Sequence, residues 1–181
     1  MRIFLGIVGT IGAGKDNASN YLVNHYSFFK VHMGNLVRAL ARKEKIKITR
    51  ENLGRLQEKY HKKYGKEFLI NAAINKARES KKQKVIISGI RTPEQAARFK
   101  KEPNAKIIFI DAKPKLRFER LKKRKRKGFP KTLKEFKKQE KNEERYFKFN
   151  KILRYADYKI ENNATEKDLY KKLDNLIRKL M

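Results

Sequence analysis

The sequence of this chain predicts an α/β fold with three layers, in which helices cover both faces of a parallel five-stranded sheet. Short runs of β-branched and aromatic residues alternate with longer segments whose apolar residues recur at helical spacing. Several of the short runs are apolar throughout, which is typical of parallel strands buried on both faces. The 181 residues are enough for one domain with a complete core, and the sequence shows no repeat or low-complexity linker. We therefore treat residues 1–181 as a single domain.

Five strands are predicted, and helices fill the segments between them. The strands lie at residues 3–8, 28–32, 85–89, 106–111 and 158–160. Helices are expected from residues 15, 33 and 50, over residues 68–80, from residue 93, over residues 114–126, and after residues 132 and 165. Four threonines stand directly before predicted helices, where the hydroxyl can cap free backbone N–H groups. They are Thr49, Thr92, Thr132 and Thr165.

A glycine-rich turn joins the first strand to the first helix. Gly9, Gly14 and Lys15 fit the spacing G-x-x-x-x-G-K. Glycines let the backbone curl until successive N–H groups point inward, and the following helix adds the positive end of its dipole. Such a turn can cradle the β-phosphate of a nucleotide, and the lysine reaches the β- and γ-phosphates. The expected nucleotide-binding residues are Gly9, Ile11, Gly12, Ala13, Gly14, Lys15, Asp16 and Asn17.

Asp16 departs from this pattern, which has Ser or Thr after the lysine to bind Mg²⁺. A carboxylate beside phosphates repels them unless a cation lies between. Asp16 is therefore either a direct or water-bridged Mg²⁺ ligand, which we favour, or a residue that stabilises the start of the helix.

Further polar and basic residues follow the later strands. Because the carboxyl ends of parallel strands meet at one edge of a sheet, these residues are expected to converge on the glycine-rich turn. Arginine suits a phosphoryl-transfer site because its planar fork binds two phosphate oxygens. The residues are Asn35 and Arg38 after the second strand, Ser88 and Arg91 after the third, and Arg120, Arg124 and Arg126 after the fourth.

Other kinds of site have little support in the sequence. The chain has no cysteine, which excludes disulfides and thiolate metal sites and makes a reducing cytoplasm the expected location. His25, His32 and His61 share no metal-ligand spacing, so each is expected to be a core or surface residue. No apolar stretch approaches the length of a membrane span, and no membrane partner is expected.

The chain is strongly basic, with 49 Lys and Arg against 19 Asp and Glu, a net charge of +30. Residues 113–154 contain 19 basic and 5 acidic side chains, so this segment alone carries +14. A field of this sign attracts nucleotides and other polyanions, and non-specific binding of nucleic acid at low salt is expected.

Several segments resemble those of P-loop small-molecule kinases, in particular nucleoside and deoxynucleoside monophosphate kinases, related archaeal nucleotide kinases and dephospho-CoA kinases. The turn from Gly9 to Asp16 is similar in all of them. Residues 33–38 resemble a T-G-D-x-x-R segment, and residues 88–91 resemble a D-G-x-x-R turn. Residues 120–124 resemble the start of a mobile lid, and residues 156–162 resemble the A-D-Y-x-I-x-N strand of dephospho-CoA kinases.

The resemblance implies a P-loop NTPase fold, with an acceptor-binding region near residues 33–80 and a lid near residues 117–147. It implies ATP as donor, Mg²⁺ as cofactor and a nucleotide-type small molecule as acceptor. Lys15, Arg91, Arg120 and Arg124 would act on the transferring phosphoryl group. The acceptor would contact Asn35, Arg38, Ser88 and Arg91, and Asn162 would border the adenine of the donor.

Asn35 and Ser88 stand where these families often have aspartates. Either the carboxylate near the metal has moved to Asp16, or the site binds a nucleotide without fast transfer. A (deoxy)nucleoside monophosphate is the expected acceptor because Arg38 and Arg91 suit a terminal monophosphate. Dephospho-CoA is the first alternative, supported by residues 156–162. A nucleotide-binding RNA-associated or adaptor protein is the second, supported by the charge of +30.

Overall fold

A parallel five-stranded sheet forms the centre of the molecule, in the strand order β2-β3-β1-β4-β5. The structure is a computed structural model and describes residues 2–124 and 130–181. All four strand pairings are parallel, with Phe4 opposite both Val85 and Ala105 on the two sides of β1. The predicted fold class is confirmed. Because β1 is the central strand, the turn that follows it lies in the middle of the carboxyl edge of the sheet.

The described elements follow the predicted alternation of strands and helices. The strands are β1 (Ile3–Val8), β2 (Phe29–His32), β3 (Lys84–Ser88), β4 (Ala105–Asp111) and β5 (Tyr158–Glu161). The helices are α1 (Lys15–Tyr26), α2 (Met33–Lys43), α3 (Arg50–Tyr64), α4 (Phe68–Glu79), α5 (Pro93–Lys100), α6 (Pro114–Lys123), α7 (Leu133–Phe147), α8 (Phe149–Leu153) and α9 (Glu166–Leu180).

Two apolar cores lie on opposite faces of the sheet. Helices α2, α3, α4, α5 and α8 bury side chains against one face, and α1 with α9 cover the other. The strands supply both cores because successive side chains point to opposite faces. In β1, Phe4 and Val8 belong to the first core, whereas Leu5 and Ile7 belong to the second. A small third cluster joins α6 to α7 through Phe118, Leu121 and Phe136.

All four predicted threonine caps are present. The hydroxyls of Thr49, Thr92, Thr132 and Thr165 each accept a hydrogen bond from a backbone N–H in the first turn of the following helix. At α7 and α9 a carboxylate returns the bond to the backbone of the capping threonine, which completes a capping box. Helix starts were therefore predicted to within about a residue, as capping chemistry allows.

Most boundaries lie within one residue of the sequence prediction, and two features differ by more. Helix α6 ends at Lys123, with Arg124 as its C-cap, rather than continuing to residue 126. Lys148 adopts a left-handed backbone with φ of 54° and separates α7 from the short helix α8, which the sequence did not predict. Arg126, which the sequence places after the fourth strand with Arg120 and Arg124, lies outside the described residues. Within the described ranges, no helix has the length and apolar character needed to cross a lipid bilayer.

Candidate phosphoryl-transfer site

The turn between β1 and α1 has the backbone of an anion cradle. Gly12 and Gly14 have φ values of 78° and 101°, in the left-handed region that favours glycine. Side chains are also excluded sterically: a Cβ on Gly14 would clash with the amide of Asn162, and one on Gly12 would meet the backbone of Arg117. The turn is therefore held close to two later segments of the chain, and only glycine fits at these two points.

Asn162 is hydrogen-bonded to the backbone of the turn. It follows β5, is 6% exposed and donates from Nδ2 to the carbonyl of Ala13, with 2.8 Å between the two atoms. Its own backbone N–H donates to Asp111 O at the end of β4. The sequence interpretation placed Asn162 beside the donor's adenine. In the structure its side-chain amide fixes the backbone of the turn through the hydrogen bond to Ala13.

The ammonium of Lys15 lies beneath the turn. Its Nζ donates to the carbonyl of Thr10 at 2.7 Å, and the side chain is partly buried. Burial and the nearby positive charge of Arg91 together lower the pKa of Lys15 from 10.5 to about 8. Because its surroundings disfavour the charged form of Lys15, an anionic ligand bound beside the ammonium would stabilise that form strongly.

Asp16 and Asn17 lie on the first turn of α1. Asp16 is exposed, and its charge partly offsets the lowering of the Lys15 pKa. Asn17 donates to Glu166 and so ties α1 to the start of α9. Among the described residues, no group of three or more Asp, Glu or His side chains is arranged to enclose a metal ion. Asp16 is therefore a carboxylate that adjoins the phosphate cradle in sequence and whose charge acts on Lys15.

Arg117 is a site residue that the sequence interpretation missed. It is 6% exposed on α6 and donates to the carbonyls of Ala112 and Ile11, which places its guanidinium against the glycine-rich turn. It also pairs with Glu140 of α7 and lies over the ring of Phe136 at 5.6 Å. Arg117 therefore connects the turn to α7.

One face of α7 points toward the turn. Phe136, Glu140, Glu143 and Phe147 recur at helical spacing, and the charge of Glu143 raises the pKa of Lys15 while burial lowers it. Gln139 donates to Glu143 at 2.9 Å. The signal was present in the sequence, because two phenylalanines eleven residues apart mark the same face as the two glutamates.

The predicted acceptor-binding residues lie at the ends of β2 and β3. Arg38 donates from Nη1 to Asn35 Oδ1 at 3.0 Å, so these two residues form a pair on α2. Arg91 follows β3, and its guanidinium lies 5.6 Å from the centre of the Phe147 ring of α7. The positive charges of Arg38 and Arg91 both act on His32. The structure thus brings the two arginines to the same edge of the sheet.

His32 and Ser88 pair across that edge. They are opposite each other in the register of β2 and β3, and His32 Nδ1 lies 2.8 Å from Ser88 Oγ. Ser88 is 2% exposed. Burial lowers the pKa of His32 and so favours the neutral imidazole. Sequence reasoning assigned His32 to the core or surface, because the order of β2 and β3 in the sheet is not readable from spacing.

The two predicted lid arginines occupy different positions. Arg120 donates from Nη2 to the carbonyl of Asn162 at 3.0 Å, on the side where β5 ends. Its Nη1 is buried and has no hydrogen-bond partner among the described residues. Arg124 is exposed beyond the end of α6. Arg120 is therefore next to the segment that resembles an adenine-binding strand.

An apolar cavity of about 240 Å³ lies between α2 and α4. Its lining includes Leu36 and Leu40 of α2 and Phe68 and Leu69 of α4. A cavity of this size and character can take a flat ring or a short alkyl group.

The family of the chain follows from its sequence match. Residues 8–137, which include the glycine-rich turn and extend into α7, match the sequence model of a family described as AAA domain. The chain belongs to this AAA domain family. Its fold is the P-loop kinase-like fold, as the parallel sheet and the turn after β1 also show.

Relatives of the chain include archaeal proteins named UPF0200. One from Methanocaldococcus jannaschii is 30% identical over 181 residues, covering 99% of this chain and 91% of the relative. One from Methanococcus maripaludis strain S2 is 31% identical over 179 residues, covering 98% and 97%. The similarity extends over nearly the full length of each protein and so includes both the cradle and α9.

Solved structures with the same fold include kinases. A shikimate kinase from Acinetobacter baumannii in complex with shikimate superposes with a TM-score of 0.65 at 17% identity, covering 99% of this chain and 94% of that one. The protein TT1252 from Thermus thermophilus superposes with a TM-score of 0.55 at 17% identity, covering 99% and 98%. At such low identity the likeness extends to the fold alone.

Proposed function

We propose that the protein transfers the γ-phosphoryl group of ATP to a nucleotide-like small molecule that carries an anionic group. The observation that carries this proposal is the partly buried ammonium of Lys15, held under a glycine-rich turn with Arg91 and Arg117 close by. A polyanion bound at the N-terminus of α1 would interact favourably with the helix dipole and with the charges of Lys15, Arg91 and Arg117. A nucleotide triphosphate is such a polyanion.

On the donor side, Lys15 and the backbone N–H groups of the turn bind the phosphates. Arg120 Nη1 has no hydrogen-bond partner among the described residues, so it would donate to the base or ribose on the side where β5 ends. Mg²⁺, when bound with the nucleotide, would neutralise charge on the transferring group. Asp16 is the residue that would hold it, directly or through water, because its carboxylate is exposed beside the cradle.

On the acceptor side, Arg38 and Arg91 bind the anionic group and the cavity beyond Leu36 takes an apolar part of the molecule. A (deoxy)nucleoside monophosphate fits this division, with its phosphate on the arginines and its base in the cavity. Dephospho-CoA is the second candidate, favoured by residues 156–162. Arg38 and Arg91 would bind an anionic group of either acceptor, so their positions do not specify which acceptor oxygen attacks the γ-phosphorus.

The lid region would exclude water during transfer. Helix α7 already contacts the turn through the pair between Arg117 and Glu140, and it faces Lys15 with Glu143. Closing α7 over bound substrates would strengthen each charge interaction by removing solvent.

The alternative function that does not involve phosphoryl transfer is that of a nucleotide-binding protein associated with RNA. The favouring observation is the outward face of α7, where Lys134, Lys137, Lys138, Lys141 and Arg145 are all exposed. Such a face would bind phosphates of any sequence, with an affinity that falls steeply with salt.

A coupled assay of ADP release tests these candidates, using purified protein, ATP and Mg²⁺ with each nucleoside monophosphate and with dephospho-CoA. Signal with one acceptor identifies the substrate. Lys15→Ala is expected to lower the rate by on the order of a hundredfold or more, because it removes charge from the transferring group. Lys122→Ala, exposed on α6, is the matched control. ATP binding without transfer to any acceptor would favour the RNA-associated protein, and normal turnover by Lys15→Ala would refute the site.

A further inference from the structure

We infer that His32, oriented by Ser88, accepts the proton of a hydroxyl group on the acceptor, so that the substrate is an alcohol bearing a nearby anion. This inference rests on the proposed phosphotransferase function and specifies the oxygen that attacks. Of the two acceptors considered there, it favours dephospho-CoA, which accepts on a hydroxyl, over a nucleoside monophosphate, which accepts on its phosphate. It concerns the pair at the carboxyl ends of β2 and β3, where related families often have carboxylates and this chain has Asn35 and Ser88.

The first support is the fixed position of the imidazole. Ser88 Oγ lies 2.8 Å from Nδ1, and the serine is fully enclosed at the end of β3. Gly34 and Gly89 stand around the ring. A Cβ on Gly34 would lie 2.8 Å from Nε2, and one on Gly89 would lie 3.6 Å from Cε1. The imidazole ring therefore occupies a space that is open because Gly34 and Gly89 have no side chains.

The second support is the position of Nε2 relative to Arg38. The point where a Gly34 Cβ would stand is 2.8 Å from His32 Nε2 and 3.3 Å from Arg38 Nη1. The ring nitrogen and the guanidinium thus converge on one place above Gly34. An acceptor whose anion binds Arg38 would bring a neighbouring hydroxyl within reach of Nε2, and this is the arrangement that a general base requires.

The third support is electrostatic. Burial lowers the pKa of His32, as do the positive charges of three groups, while the carboxylate of Asp16 raises it. The charged groups that act on the ring are Asp16 on α1, Lys30 on β2, Arg38 on α2 and Arg91 after β3. The lowered pKa favours the neutral imidazole. The proposed role uses the tautomer in which Nδ1–H donates to Ser88 Oγ and the lone pair lies on Nε2.

The chemical step balances with the groups present. The acceptor oxygen forms a bond to the γ-phosphorus of ATP, and the bond from that phosphorus to the bridging β-oxygen breaks, so ADP leaves. The hydroxyl proton passes to His32 Nε2, and the imidazolium returns it to solvent after product release. A phosphate acceptor is already ionised at neutral pH and would not need this base.

The test compares His32→Gln with the matched control His25→Gln, whose histidine is exposed on α1 outside the site. Transfer is measured by ADP release over about pH 5 to pH 9, in a range that spans the ordinary histidine pKa. The acceptors are dephospho-CoA and shikimate as alcohols bearing an anion, water as the simplest hydroxyl, and AMP and CMP as phosphates. ATP affinity is measured for each variant to confirm that the nucleotide site remains folded.

With alcohol acceptors or water, we expect the rate of ADP release to fall as the pH is lowered, because His32 becomes protonated. His32→Gln lowers that rate by about 10²-fold or more and removes the acid limb, while ATP affinity stays unchanged. Ser88→Ala gives a smaller loss and shifts the limb, because the ring is no longer oriented. His25→Gln behaves as wild type.

Three results would overturn the inference. One is a His32→Gln variant that keeps both its rate and its acid limb. Another is transfer to AMP or CMP with none to alcohols or water, which would leave the phosphotransferase proposal intact. The third is tight ATP binding without transfer to any acceptor, water included, which would refute the proposed function itself.

Discussion

The affinity of the cradle for ATP should depend on pH through Lys15. Because burial and Arg91 lower the pKa of this lysine to about 8, the free protein loses the proton as pH rises through 8. The shift from 10.5 corresponds to on the order of 3 kcal/mol against the charged form. Bound phosphates supply the missing counter-charge and raise the pKa again, so binding above pH 8 must be accompanied by proton uptake.

The sign and size of the effect follow directly. Below about pH 7 the lysine is charged with or without ATP, and the affinity is independent of this group. Above about pH 8, the dissociation constant should rise close to tenfold for each pH unit until the pKa of the complex is reached. At pH 8 about half a proton should be taken up for each ATP bound, since half of the free molecules are neutral.

Isothermal titration calorimetry in buffers of different ionisation enthalpy measures both quantities. Lys15→Arg is the matched variant, because an arginine stays protonated over this range and should give an affinity that hardly changes with pH. A wild-type dissociation constant that stays constant between about pH 7 and pH 9.5, or equal proton uptake by both proteins, would refute the reasoning from a partly buried lysine.

Three further predictions concern groups around the site and in the fold. Asn162→Ala should weaken ATP binding and lower the free energy of unfolding by about 1–3 kcal/mol in urea, because a buried carbonyl loses its partner, whereas the exposed Asn175→Ala should do neither. Glu102→Ala should lower the unfolding free energy by about 2 kcal/mol in the same titration, since Glu102 is buried between two arginines; an unchanged midpoint would contradict this. Asp174→Asn should lower the pKa of Tyr21 from about 12 toward 10, because in the wild-type protein the Tyr21 hydroxyl donates to the Asp174 carboxylate. An unaltered ultraviolet titration of the tyrosines would show that this hydrogen bond does not raise the pKa.

Most of the fold could be predicted because its signals are local. Continuous apolar runs marked several of the five strands, and a threonine with a carboxylate three residues later marked the starts of α7 and α9. The break at Lys148 could not be predicted, since a lysine in the left-handed region has no sequence signature of its own. The end of α6 fell short of the prediction because the basic segment after it has no apolar periodicity to mark a boundary.

The candidate site was predictable where a pattern carries its chemistry. The spacing of Gly9, Gly14 and Lys15 identified the cradle before any geometry was known. Arg117 was hidden because it lies in a run of basic residues, where only its helical phase relative to Leu121 indicates the buried face. The pairing of His32 with Ser88 depends on β2 lying beside β3, which is a property of sheet order and cannot be read from residues 56 positions apart.

The contact between Gly14 and Asn162 has a consequence for the order of folding. The phosphate-binding turn is made of residues near the start of the chain, yet Asn162 completes it from 148 residues further along. Contacts of such separation form late, because a long loop must close before they stabilise anything. During synthesis the cradle would therefore remain loose until β5 has left the ribosome and joined β4, and a nascent chain would gain its nucleotide only as the last strand is added.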